Sequence, residues 1–476
     1  MRPPLFRQPL LLLAAVLCAA SLTACSTTPL GSTAKESPIQ SAWVVLGEQA
    51  QAIARVVISD TVCPVLEQDG QAAIMQVRVA AATPALRPTV SKPEDSKPSA
   101  FPVLICEAPL RTPLTSASVA GIALPIPKAT IQKIVVIGDT GCRLQSSSKY
   151  FQPCNDGAGW AFQSVAKAAA AFQPDLVIHV GDYHYRENAC PQGLASCQGS
   201  PWGYGWDTWR ADFFTPAQAL LRAAPWVVVR GNHESCRRGG QGWWRLMDPR
   251  PFHTEQSCDL AQFDQIGDFS APYAVPLGKI GGELAQLIVF DSSHVPNSAL
   301  KKDDPAHAIY TEQFKTVDQL AAAADFNLFI NHHPVLGFSP YPNKDNNTNY
   351  SYGNLALQDI MRQNHPQRLF SDKVQATLSG HVHLFEALSF SSNHPTQFVS
   401  GNGGSSLDKS LPVTLPAGVT PALGANVAYF NNSNDVGYMT MERQGDLWDI
   451  QAWNLQGKMI EHCQMHKQTT TCTAIH

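Results

Sequence analysis

Leu176-Val177-Ile178-His179-Val180-Gly181-Asp182-Tyr183-His184-Tyr185 runs from an apolar stretch straight into a polar cluster, and it reads as a buried strand that ends in a functional loop. Four other stretches repeat the pattern. Ile134 to Ile137 leads into Gly138-Asp139-Thr140-Gly141, and Trp226 to Val229 leads into Gly231-Asn232-His233-Glu234. Leu328 to Ile330 leads into Asn331-His332-His333-Pro334, and Val374 to Leu378 leads into Gly380-His381-Val382-His383. In open α/β sheets ligands bind at the carboxyl ends of the strands, so five such loops can meet at one site. They would bring together Asp, Asn and His side chains, the inventory of a two-metal hydrolase.

Length and composition fit that reading and exclude others. The 476 residues are enough for two or three domains with a packed core, and 44% hydrophobic content is ordinary for a soluble protein. Net charge is −4 and no Lys/Arg run exceeds two residues, which gives no support to a nucleic-acid-binding surface.

The amino terminus has its own logic. Arg2 and Arg7 precede an apolar run from Leu10 to Ala20 that is short for a membrane span and right for a secretory signal. It ends in Leu22-Thr23-Ala24-Cys25, which resembles a bacterial lipobox. That resemblance implies a signal peptide over 1–24, a lipidated Cys25, and an exported lipoprotein of the cell envelope. With the non-acidic Ser26 next, it implies sorting to the outer membrane, facing periplasm or surface. The alternative is ordinary cleavage and release. Apart from Cys18 and Cys25, ten cysteines remain, as suits an oxidising compartment. Sequence cannot fix their connectivity. Their clustering along the chain predicts Cys63–Cys106, Cys142–Cys154, Cys190–Cys197, Cys236–Cys258 and Cys463–Cys472.

Residues 25–42 read as a flexible tether rich in Ser, Thr, Pro and Gly. Residues 43–127 have β texture: Ala52 to Ser59, Ala73 to Ala80 and Phe101 to Cys106 are strand candidates. With Cys63 and Cys106 as a staple they suggest a small N-terminal β-sandwich. Across 128–476 strands alternate with helices, expected at Trp160 to Phe172, from Thr215-Pro216 to Ala224, at Tyr310 to Ala324 and at Asn354 to Asn364. The class is therefore α/β: a layered β-sheet core with flanking helices.

Taken together, the ordered clusters resemble the calcineurin-like metallophosphoesterases, and within them the purple acid phosphatase branch. The likeness spans roughly Thr130 to Trp453. Residue by residue, it implies that Asp182 bridges two metal ions. Asp139, Tyr185 and His383 would complete the first site, and Asn232, His332 and His381 the second. Many members have His where this chain has Gly141, and the branch replaces that ligand with a Tyr three residues after the bridging Asp, which Tyr185 matches. Tyr183, His184 and His333 read as packing or supporting residues.

Carboxylates and a phenolate favour Fe(III), while two imidazoles and an amide oxygen suit Zn, Mn or Fe(II). The family chemistry implied is attack of a metal-bound hydroxide on a small phosphate monoester, with His233 as proton donor and Glu234 as its partner or a structural residue. The plant enzymes' substrate-contacting His pair is missing, since the matching stretch is Tyr341-Pro342-Asn343. His294, Tyr341 and Asn402 are candidate contacts. Rival readings are a phosphodiesterase or nucleotidase on the same metals, and a non-catalytic surface lipoprotein.

Overall fold

The parallel strands Lys133–Ile137, Leu176–His179 and Trp226–Val228 lie side by side at the middle of an eleven-stranded sheet in the computed structural model, which describes residues 37–280, 282–342 and 348–475. The proposed signal peptide, Cys25 and residues 26–36 of the proposed tether lie outside the described residues, while residues 39–42, also assigned to the tether, belong to the strand Ile39–Leu46. A second, seven-stranded sheet carries the parallel strands Glu283–Val289, Phe326–Ile330, Val374–Ser379 and Thr396–Ser400.

Side-chain alternation explains the layering. Ile134, Val136 and Ile178 face one way and share a core with Leu287, Leu328 and Leu378 of the second sheet. Val135, Ile137 and Val177 face the other way, against Phe162, Val165 and Ala169 of the helix Phe162–Ala171. On the far side Ile288 and Phe329 meet Tyr310, Phe314 and Val317 of Pro305–Ala322, with Leu357 and Ile360 of Leu355–Asn364. Two sheets back to back, each covered by helices, place all five strand-end loops along one rim.

The helix expected at Asn354 to Asn364 is present, and Asn354 caps it, accepting from the Leu357 amide at 2.9 Å. The preceding long helix begins earlier than Tyr310, because Asp304 is its cap and Pro305 fills the first turn. Thr215-Pro216 does not start a helix. Thr215 has helical torsions and sits inside a continuous winding segment that begins at Trp206.

The β-rich N-terminal region is present, but its boundary at residue 127 is not. Residues 38 onward form one compact unit. Ile39–Leu46, Ala52–Ile58, Leu104–Pro109 and Gln76–Val79 extend the eleven-stranded sheet, with Val45 paired in parallel to Trp226. The reason is burial on both faces: Val44 and Leu46 enter the inter-sheet core, while Trp43 and Val45 enter the helix-covered one. A free-standing sandwich would leave one of those faces wet. A four-stranded sheet, Val65–Gln68 to Ile122–Ala123, adds Leu66 and Val119 to the same inter-sheet core. The opposite edge is an antiparallel meander from Gly437 to Ala474. All ten cysteines named above are joined in the expected pairs.

Candidate metal centre

Asp139, Asp182 and His381 each follow a glycine at a strand end and hold left-handed backbone torsions, with φ of 54°, 59° and 69°. Non-glycine residues rarely sit there, and such strain collects where function needs it. Neighbouring glycines are steric requirements: a Cβ on Gly181 would collide with the His332 ring, and one on Gly231 with the Asp182 carboxylate.

These turns gather the seven predicted ligands into two groups that share Asp182. Asp139, Asp182 and His383 form one set of donor atoms, and Asp182, His332 and His381 the other, each within 4.8 Å. The Tyr185 hydroxyl lies in the first group, donating to Asp182 at 2.8 Å and Asp139 at 3.0 Å, and 2.8 Å from His383 Nε2. Asn232 Oδ1 lies in the second, 3.1 Å from His332 Nε2 and 2.9 Å from His381 Nδ1.

Tautomers make this a fit for cations. His332 Nδ1 is 2.8 Å from the Val180 carbonyl and His383 Nδ1 is 2.6 Å from that of Ser406, so each Nδ1 carries the proton. In the neutral rings both Nε2 lone pairs then point inward. His332 Nε2 faces the Asp182 carboxylate at 3.3 Å and His383 Nε2 faces Asp139 at 3.2 Å. Lone pairs aimed at lone pairs are stable only around a proton or a metal ion. Without a metal, Asp182 outweighs the cost of burial and raises His332 to about 9. Burial, reinforced by Asp139 and Asp182, holds the Tyr185 phenol well above its ordinary range. Burial and the neighbouring His332 lower His381 to about 3.

The other candidates separate by their contacts. Glu234 is structural: it accepts from the amides of Gly231, Asp182, Tyr183 and His184 at 2.9–3.2 Å. The carboxylate that faces His233 is Glu187, 3.1 Å from Nδ1 and 3.3 Å from Arg238. Burial opposes its charge, but Arg238 and His233 outweigh burial and lower it to about 2. Sequence reading missed Glu187, although it lies in the same loop two residues past Tyr185. Tyr183 packs on His179 and donates to Val229 O, and His184 lies between Tyr204 and Trp209. His333 meets Ser292 Oγ at 3.1 Å, and its ring lies tilted 4.1 Å, centroid to centroid, from that of His381. Asn402 donates to the Asp435 carbonyl, and His294 lies at Asp268, so neither joins the metal cluster. Residues 343–347, after Tyr341, lie outside the described residues.

The chain belongs to the calcineurin-like phosphoesterase family, whose model matches residues 132–385. It is thus a metal-dependent phosphoric ester hydrolase. Among solved structures, a purple acid phosphatase, PPD1, from yellow lupin (Lupinus luteus) seeds is 14% identical, with a TM-score of 0.53 over 88% of this chain and 72% of that one. PhoD is 11% identical, covering 91% of this chain and 92% of that one, with a TM-score of 0.48. The lupin likeness establishes shared fold. Comparison with curated protein sequences finds no match.

Proposed function

We propose that the protein hydrolyses phosphate monoesters at a dinuclear centre of the purple acid phosphatase type. The observation that carries this reading is Tyr185. Its hydroxyl sits among Asp139, Asp182 and His383, and it fits there because residue 141 is glycine: a Cβ would lie 2.9 Å from the Tyr185 ring. The exchange of a first-motif His for a tyrosine is therefore a steric pair within this chain.

Asp139, Asp182, Tyr185 and His383 would hold one ion, and Asp182, Asn232, His332 and His381 the other. The first set suits Fe(III), and the second Zn, Mn or Fe(II). When bound, such ions supply Lewis acidity and a water of lowered pKa. The chain's own residues do the rest. His233 donates its amide to Asp182 at 2.8 Å, and its ring lies 3.9 Å, centroid to centroid, from that of Tyr185. Glu187 faces Nδ1, so the form of His233 that can give an Nε2 proton to the departing alkoxide is the imidazolium, which burial and Arg238 disfavour and acid pH restores.

The five disulfides support an oxidising compartment, in keeping with export and lipid anchoring at Cys25. Hydrolysis of a nitrophenyl monoester and a bis-nitrophenyl diester by the metal-loaded protein tests the function. Faster turnover of the monoester supports it, and faster turnover of the diester favours a phosphodiesterase.

A further inference from the structure

Arg143 stands out among the cations near the centre. Its Nη2 is 3.3 Å from His383 Nε2 and its guanidinium carbon is 5.0 Å from the Tyr185 ring centroid. Its Nε is buried without a hydrogen-bond partner, and among the described residues the side chain makes no ion pair. By contrast Arg186, Arg230 and Arg238 each pair with a carboxylate.

The backbone under Arg143 is fixed. The Cys142–Cys154 disulfide closes its loop, and the Cys142 amide donates to Asp212 at 3.0 Å. The Arg143 amide donates to Gln152 Oε1 at 3.0 Å, and Gln152 in turn anchors to the Gly404 carbonyl at 2.9 Å. Leu144 donates to the Tyr185 carbonyl at 3.0 Å. A held guanidinium without a counter-ion, beside a site that collects further cations, is unfavourable unless an anion joins it.

We infer that Arg143 is a substrate-binding residue that clasps the phosphate group of the ester, and retains the inorganic phosphate product, through charge-assisted hydrogen bonds. The planar fork suits phosphate oxygens, and a monoester dianion offers the most charge to it. This rests on the phosphoesterase reading of the centre.

The test uses metal-loaded wild type, Arg143→Ala and Arg143→Lys, with metal content measured on each. Calorimetric binding of inorganic phosphate should weaken at least ~10-fold in Arg143→Ala and less in Arg143→Lys, which keeps the charge but loses the fork. KM for a nitrophenyl monoester and the inhibition constant of phosphate should rise in step. Unchanged phosphate affinity in an alanine variant that retains its metal overturns the inference. Should the wild type bind metal and phosphate but turn over no ester, the functional reading fails, and the binding comparison still decides the role of Arg143.

Discussion

Glu386 offers a stability test whose sign and size follow from its surroundings. It is fully buried on the strand Phe385–Phe390, Oε2 accepts the Phe338 amide at 3.0 Å, and Oε1 has no partner. Burial raises its carboxyl from 4.5 to about 8, more than the Phe338 bond can offset. As pH rises past 4.5 the unfolded chain loses this proton while the folded chain keeps it until about 8, so stability falls with pH across that window. By pH ~7 the accumulated penalty is roughly 3 kcal/mol. Glu386→Gln keeps the oxygen that accepts from Phe338 and removes the titration. The assay is urea unfolding of metal-free, disulfide-intact protein at pH ~4.5 and ~7, with equal m-values required for the comparison. The variant should match wild type at the lower pH and exceed it by roughly 3 kcal/mol at the higher. A difference that stays constant with pH would refute the claim that Glu386 is folded as the neutral acid.

His233→Ala should leave metal content unchanged and lower kcat by ~10²–10⁴, measured in steady-state kinetics on a nitrophenyl monoester; full turnover would remove it as proton donor. Tyr185→Phe should abolish a violet to pink absorption of the Fe(III)-loaded protein while Tyr183→Phe preserves it, because only the former hydroxyl lies among the ligands. A colourless wild type with two divalent ions and full activity would place the chain outside the purple branch. Cys25→Ser should move the protein from the membrane fraction to the soluble one or leave an uncleaved precursor, and unchanged fractionation would point to a different anchor.

The candidate ligands could be read from sequence because five clusters follow five apolar runs in one order; each alone is weak, since Gly-Asp after a strand is often only a turn, and the order carries the family resemblance that implies them. Tyr185 could be read because Gly141 stands where many members have His and the resemblance places the replacing Tyr three residues after Asp182. What escaped was set by distant packing. Nothing in Ile39–Leu46 announces that Val45 pairs with Trp226 across about 180 intervening residues. Its apolar run fits a sandwich strand as well as an inner strand of the main sheet. Glu187 and Arg143 lack any motif, and their roles come from what the fold sets opposite them: His233 and Arg238 for the first, His383 and Tyr185 for the second. For Glu234 sequence left two roles open, partner of His233 or structural residue, and the fold decides for the second. It adjoins His233 in sequence, but its carboxylate turns back onto four amides.

Asp182 is shared by both groups of donor atoms, as a residue bridging two metal ions would be. Metal analysis of wild type and Asp182→Asn, with monoester hydrolysis followed on the same samples, tests it most directly. Two ions per chain with turnover in wild type, and loss of both in the variant, is the predicted result. An Asp182→Asn protein that keeps both ions and full activity, or a metal-stripped wild type that still hydrolyses the ester, would contradict it.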